Sequence, residues 1–340
     1  MNLNTDPSDI AAAICGMGLI AKDEPCEIRA LPGGVSCDVY AVRTASRTFC
    51  VKRALAKLRV AVDWRAPAER NRAEVAWMRL VAGIDPRWVP EILGEDRARN
   101  LFAMEYFPPE TFPVWKSLLA DGKTDTTFAA RVGETLGRIH AATAGRDDVA
   151  HDFANQVQFR ALRIDAYLLH TAEKHPDVAK PIKAMAQSVT QARIALMHGD
   201  VSPKNILSGP EGPVFLDAET CCYGDPAFDL AFCLNHLLLK GVWHPEHGAL
   251  HAASFAALKD AYFAEADWEE PAALEGRTAR LLAAFLLARI DGKSPVEYIT
   301  SDDDKNFVRA TAKKFLNGNN MLDEIQALWT QALSTRQMGR

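Results

Sequence analysis

The periodicity of the apolar residues changes once along this chain, at Pro108-Pro109. Before that point the segments are short and strand-like. CEIRALPGG (26–34) and DVYAVRT (38–44) flank a Gly-Gly turn, and TFCVKRA (48–54) follows. The alternation in DVYAV and TFCVK predicts half-buried antiparallel strands. ERNRAEVAWMRLVAG (69–83) then carries apolar residues at Val75, Met78 and Val81 or Ala82 and stops at Gly83, the pattern of one helix. PEILGED (90–96) and LFAMEYF (101–107), joined by RARN, read as two more strands. Beyond the prolines FAARVGETLGRIHAAT (128–143), QFRALRIDAYLLHTAEK (158–174) and VAKPIKAMAQSVTQARIALM (178–197) are mostly helical in period, with Pro181 beginning or breaking a helix. Only NILS (205–208) and PVFLD (213–217) interrupt as strands. The expectation is an α+β chain of two lobes. Residues 1–106 form a small antiparallel-sheet lobe, and residues 107–340 form a large, mainly helical lobe with one inserted hairpin.

A chain of 340 residues is long enough for two such cores. A formal net charge of −5, with no basic cluster interleaved with aromatics, argues against nucleic-acid partners and anionic membranes. The apolar N-terminal run lacks a positive n-region and carries Asp6 and Asp9, so it reads as a short surface helix, with Asp6 as N-cap and Pro7 as first residue, rather than a signal peptide. LLAAFLLARI (281–290) is only as long as a buried helix, well under a membrane span. Seven scattered cysteines without a CxxC pair predict reduced thiols and a cytoplasmic setting. His244, His247 and His251 read as a helix face rather than a metal site.

The chemistry concentrates in HGDVSPKNI (198–206) and the segment after it. GPEG (209–212) turns between two short apolar strands, with Asn205 before the first and Asp217 ending the second. Antiparallel pairing would bring a carboxamide and a carboxylate together at the open end of the hairpin. That oxygen pair suits Mg²⁺, which keeps waters and takes phosphate oxygens. Asp200, on the preceding loop, would face the same space. In GDPAFDLAFCL (224–234), Asp225-Pro226 reads as a helix start, and Asp229 lies in an apolar helix where a carboxylate is costly unless hydrogen-bonded.

HGDVSPKN and FLDAE resemble the catalytic loop and metal-binding segment of the aminoglycoside phosphotransferase and choline kinase group, relatives of the protein kinases. The resemblance spans roughly residues 30 to 240 and is most specific over 198–230. It implies a bilobal, protein-kinase-like fold and a nucleoside triphosphate donor, ATP or GTP, with Mg²⁺. Asp200 would be the base or the residue orienting the acceptor hydroxyl, and Asn205 and Asp217 the metal ligands. Lys52 corresponds to the phosphate-binding lysine, with Glu74 as its partner and Glu69 as a rival. Gly33, Gly34 and Ser36 resemble a short phosphate loop. MEYFPP (104–109) resembles the interlobe hinge, where the backbone of Glu105 and Phe107 would meet adenine. Glu219 would brace the loop rather than hold a second metal, and Asp229 would hold the catalytic-loop backbone.

Only seven residues, 218–224, separate Asp217 from Asp225, too few for the peptide platform of a protein kinase. The expected partner is therefore a small-molecule alcohol: a sugar, an amino alcohol or an aminoglycoside-like compound. The alternative is a non-catalytic nucleotide-binding module, against which Lys52, Asp200, Asn205 and Asp217 are all present. From residue 230 onward there are 14 acidic and 12 basic residues, a balance that does not demand a polycation. DGKSPVEY (291–298) reads as a C-capping Gly and a Pro turn in preference to an arm into a cleft.

Overall fold

The computed structural model of the chain describes residues 7–31, 36–55 and 70–338. Its backbone groups into two compact units, Met1–Thr111 with Val214–Glu219, and Phe112–Pro213 with Thr220–Arg340.

The first unit is built on strands β1 (Glu27–Leu31), β2 (Cys37–Arg43), β3 (Thr48–Ala54), β4 (Ile92–Asp96) and β5 (Leu101–Glu105). They form one antiparallel sheet in the order β1-β2-β3-β5-β4. β3 is central, and its neighbours fix its register: Lys52 pairs with Val39 on one side and Phe102 on the other. Because side chains alternate along a strand, Phe49 and Val51 point to one face and Cys50 and Lys52 to the other. Helix α1 (Pro7–Gly16) closes the first face by setting Ile10, Ala13 and Ile14 against Phe49, Val51 and Leu101. Helix α2 (Arg70–Ala82) turns Glu74, Val75, Trp77 and Met78 inward and meets β3, β4 and β5.

Two expectations are corrected here. The strand TFCVK is not half-buried: Phe49, Cys50, Val51 and Lys52 are all buried, because helices cover both faces of a central strand. The N-terminal helix is not a mere surface helix, since Ile10 and Ile14 are 1% and 0% exposed and belong to the sheet's core. Val214–Glu219 joins this unit through Phe215, whose ring meets Trp77 of α2 edge-on at 6.5 Å.

The second unit is mainly helical. Helices Thr126–Thr143 and Gly248–Glu265 pack unusually closely, because a Cβ on Gly133 would stand 2.1 Å from the Leu258 carbonyl oxygen. Helices Ala227–Trp243 and Pro271–Asp291 share an aromatic core in which Phe228, Phe232 and Phe285 contact one another at 5.0–5.8 Å. Leu281 to Ile290 are all buried, as a core helix requires. Among the described residues no helix is long and apolar enough to cross a membrane. Pro181 falls in the first turn of helix Ala179–Gln191, where its missing N–H costs nothing. The expected hairpin forms from β7 (Ile206–Gly209) and β8 (Gly212–Phe215). A second pair, β6 (Ala195–Met197) with β9 (Cys222–Gly224), was not expected as strands. Three residues are too short a stretch to show a period. The segment around Arg163 also departs from a plain α-helix, since Arg160–Leu169 is wound as a π-helix.

Candidate active site

In the first unit the sheet and α2 converge on one buried ammonium. Lys52 Nζ lies 2.7 and 2.8 Å from the two carboxylate oxygens of Glu74 and 2.5 Å from Asp217 Oδ1. Lys52 is 4% exposed and Glu74 0%, so neither charge is screened by water. Burial opposes the charge on Lys52, but Asp217 and the other anionic groups outweigh it and hold the ammonium well above its ordinary value. Burial raises the Glu74 carboxyl, to about 7, against the pull of Lys52. Both directions have one cause: two carboxylates share a single cation in a dry environment. Asp217 sits in the left-handed region, at φ +68°, which is uncommon for a non-glycine residue and most accessible to Asp and Asn.

A second buried cation stands one turn before Glu74 on α2. Arg70, 1% exposed, donates from Nε to Glu219 Oε2 at 2.8 Å. It also donates to the carbonyl of Leu55 at 2.8 Å and to the carbonyl of Ser36. One guanidinium thus ties the segment after Asp217 to the ends of β2 and β3. This is the bracing role expected for Glu219, but its partner Arg70 was not singled out from the sequence. Ser36 is held by its carbonyl, which also accepts from Leu55 N at 2.9 Å. Gly33, Gly34 and Glu69 lie outside the described residues. β5 ends at Glu105, and Phe107 follows in irregular backbone. The Glu105 N–H is committed to the Glu91 carbonyl at 2.9 Å, so that N–H is not one of the groups left for adenine.

In the second unit the loop after β6 presents Asp200. Gly199 makes the turn: it sits at φ +83°, and a Cβ there would be 2.5 Å from the Thr220 carbonyl oxygen. Asp229, fully buried, accepts from His198 N at 2.6 Å and Gly199 N at 2.9 Å. Behind it His140 Nε2 is 3.4 Å from the same carboxylate, and its Nδ1 is 2.8 Å from the Tyr262 hydroxyl. The expected architectural role of Asp229 therefore has a definite form, two backbone N–H groups on one carboxylate. Asp225 accepts from Ala227 N at 3.1 Å at the head of the same helix and is ion-paired to Arg277 at 3.0 Å.

The Asp200 side chain, 3% exposed, is gripped through Oδ2. Asn205 Nδ2 donates to it at 2.9 Å, and Arg163 Nη2 and Lys204 Nζ each lie 3.1 Å away. Arg163 also donates to the Gly199 carbonyl at 2.6 Å, fixing the loop and its carboxylate together. Arg163 and Lys204 are the residues that the sequence did not single out here. Lys204 was visible as part of SPKN, whereas Arg163 lies on a distant helix and carries no local signal.

The fit of Mg²⁺ follows from the donor chemistry. Among the described residues no group of three or more His, Cys, Asp or Glu forms an all-protein cage. Magnesium does not need one, since it is commonly held by one or two protein oxygens with waters and phosphates. The Asn205 amide donates to Asp200, so its oxygen is the atom that suits a hard cation. The Lys52–Glu74–Asp217 cluster has one more anion than cation and tolerates added positive charge. Each group, taken by itself, has the donor chemistry that the ion accepts.

An antiparallel five-stranded sheet carrying a Lys–Glu pair, joined to a helical unit with an HGD loop, defines the protein-kinase-like fold. The chain belongs to the phosphotransferase enzyme family, whose model matches residues 27–274. It is 22% identical over 229 residues to methylthioribose kinase 1 of Oryza sativa subsp. japonica, a match covering 59% of this chain and 53% of that protein. The chain thus spans about half the length of that relative. Among solved structures it resembles a choline/ethanolamine kinase family protein from Mesorhizobium loti, with TM-score 0.55 and 18% identity over 95% of this chain and 99% of the other. It also resembles the amicoumacin kinase hAmiN, solved with AMP-PNP, Ca²⁺ and Ami, with TM-score 0.59 and 14% identity over 92% and 93% of the two chains.

Proposed function

We propose that this chain transfers the γ-phosphoryl group of ATP to a hydroxyl of a small molecule, in a cytoplasmic, reducing setting. The observation that carries the reading is the buried ion pair of Lys52 with Glu74, 2.7 Å apart, in a member of the phosphotransferase family. A lysine held rigid on a central strand is an ammonium pre-positioned for phosphate oxygens, and rigidity of that kind is most of what phosphoryl transfer asks of a protein. The complex of the similar amicoumacin kinase with AMP-PNP and Ca²⁺ supports a nucleotide and a divalent cation.

In this reading Asp200 accepts a hydrogen bond from the acceptor hydroxyl. The hydroxyl oxygen attacks the γ-phosphorus, the bond from phosphorus to the β,γ-bridging oxygen breaks, and its electron pair leaves with ADP. The hydroxyl proton passes to Asp200 as the new P–O bond forms. Arg163, Lys204 and Asn205 hold the Asp200 carboxylate in one orientation. Asn205 and Asp217 would hold Mg²⁺, which supplies positive charge against the phosphate oxygens. Lys52 binds phosphate, the segment around Ser36 approaches it, and the backbone of Glu105 and Phe107 borders the adenine. The test is ADP formation from MgATP by the purified protein across sugars, amino alcohols, hydroxy acids and aminoglycosides. Acceptor-dependent ADP is expected. A protein that binds ATP but forms no ADP with any acceptor would be the non-catalytic module instead.

A further inference from the structure

In the second unit a small cavity of about 30 Å³ opens beside the Asp200 loop. Four of its lining side chains are cationic, Lys116, Lys204, Lys240 and Arg289, against the single carboxylate of Glu297. Lys204 is the same residue whose Nζ lies 3.1 Å from Asp200, so the cavity begins where the proposed base ends. The floor is unusual. Lys240 is 1% exposed, and its ammonium meets the ring faces of Trp243 and Tyr298, both at 4.2 Å, but has no hydrogen-bond acceptor among the described residues. Arg289 Nε, His236 Nε2 and the Tyr298 hydroxyl are likewise buried without hydrogen-bond partners. Four orphaned polar atoms around one cavity are costly to maintain and point to a ligand that satisfies them. His236 records the sign of the field there. Burial, then Arg289, Lys240, Lys204 and Lys116, keep its imidazole well below the ordinary value, so it stays neutral.

Glu297 pairs with Lys116 and Asp200 with Lys204, so the cationic atoms left for an anion are Lys240 Nζ and Arg289 Nε, and the size of the cavity limits which anion. At about 10–15 Å³ per water-sized group, it has room for roughly two to three such groups, which is the size of a carboxylate. We propose that the acceptor is a hydroxy acid, whose carboxylate docks on Lys240 and Arg289 while its hydroxyl is presented past Lys204 to Asp200. The carboxylate is held and forms no covalent bond; only the hydroxyl takes the phosphoryl group. The segment 291–298, through Glu297 and Tyr298, supplies one wall of this cavity. The charge is opposite to what a choline-like or aminoglycoside acceptor requires. The inference rests on the phosphotransferase reading for the transferred group and on the cavity for the class of acceptor.

The experiment pairs transfer with binding. ADP formation from MgATP is measured with glycerate and gluconate, with their neutral counterparts glycerol and sorbitol, with ethanolamine and with glycerol 3-phosphate. Thermal unfolding of the wild type and of Lys240→Met is followed with the same compounds. A charge-assisted hydrogen bond corresponds to about tenfold or more in affinity. The acids should therefore exceed their neutral counterparts in kcat/KM by at least that factor. Lys240→Met should raise the KM for the acid by a similar factor with the KM for ATP within about twofold, and should abolish the rise in melting temperature that the acid causes. Preference for glycerol, sorbitol or ethanolamine overturns the inference and leaves the phosphotransferase reading standing. Preference for glycerol 3-phosphate overturns the carboxylate assignment. Equal stabilisation of wild type and Lys240→Met by the acids, or none of either, also overturns it. Lys240-dependent binding of the acids with no ADP from any compound supports the cavity and overturns the transfer reading.

Discussion

Lys52 Nζ is bonded at once to both oxygens of Glu74, at 2.7 and 2.8 Å, and to Asp217 at 2.5 Å, so one ammonium holds α2 and the segment after β8 to the central strand. Removing that ammonium leaves Glu74, fully buried, without the cation it is paired to. Lys52→Met should therefore cost about 3–5 kcal/mol of stability and raise the KM for nucleotide. Denaturant unfolding beside ATP titration checks both. An unchanged unfolding midpoint would mean that the pair is not a structural tie.

Asp200→Asn keeps the shape of the side chain but removes the proton acceptor and the anion facing Arg163 and Lys204. kcat should fall by about 10²–10⁴-fold with nucleotide affinity little changed. The measurement is kcat alongside nucleotide Kd and melting temperature on one preparation. Retention of more than about a tenth of wild-type kcat would remove Asp200 from the reaction.

Gly199→Ala puts a Cβ 2.5 Å from the Thr220 carbonyl in a backbone held at φ +83°. The cost should be about 1–3 kcal/mol, and the His198 and Gly199 amides now bonded to Asp229 should exchange faster with solvent. Hydrogen exchange at those amides reads the loop directly. Wild-type protection together with wild-type stability would contradict the close approach.

Lys240 sets a pH dependence. Burial, assisted by Lys116 and opposed by Glu297, lowers its ammonium from 10.5 to about 8. Between those values the unfolded chain holds a proton that the folded protein has released. Stability therefore rises with pH across about 8 to 10.5, and the full penalty is present below 8. Relative to Lys240→Met, the wild type should gain on the order of 2 kcal/mol between pH 7.5 and pH 10.5. Urea unfolding of both proteins at the two pH values isolates the group, since the other titrating side chains are common to both. A constant difference would show that Lys240 titrates as an ordinary lysine.

Elements whose information is local can be read from the order of residues. Alternation and helical period separate a sheet unit from a helical one, and the turn GPEG declares the hairpin. The interval from Asp200 to Asn205 lies within one loop and reads without knowing where that loop sits. Lys52 is singled out only by the resemblance to the phosphate-binding lysine of kinases, since a lysine inside TFCVK is by itself an ordinary strand residue. Tertiary structure alone decided what these residues touch. Arg70 meets Glu219 across 149 positions, and Arg163 reaches Gly199 across 36. β6 and β9 pair across the whole catalytic loop and the β7–β8 hairpin, a partnership that no local pattern in either strand records. Lys240 and Arg289 look in sequence like any long cations on helices, whose default is to reach water. Burial of Lys240 Nζ and Arg289 Nε without an acceptor is a property of the space around them, set by contacts among segments far apart in the chain, and no spacing within either helix encodes it.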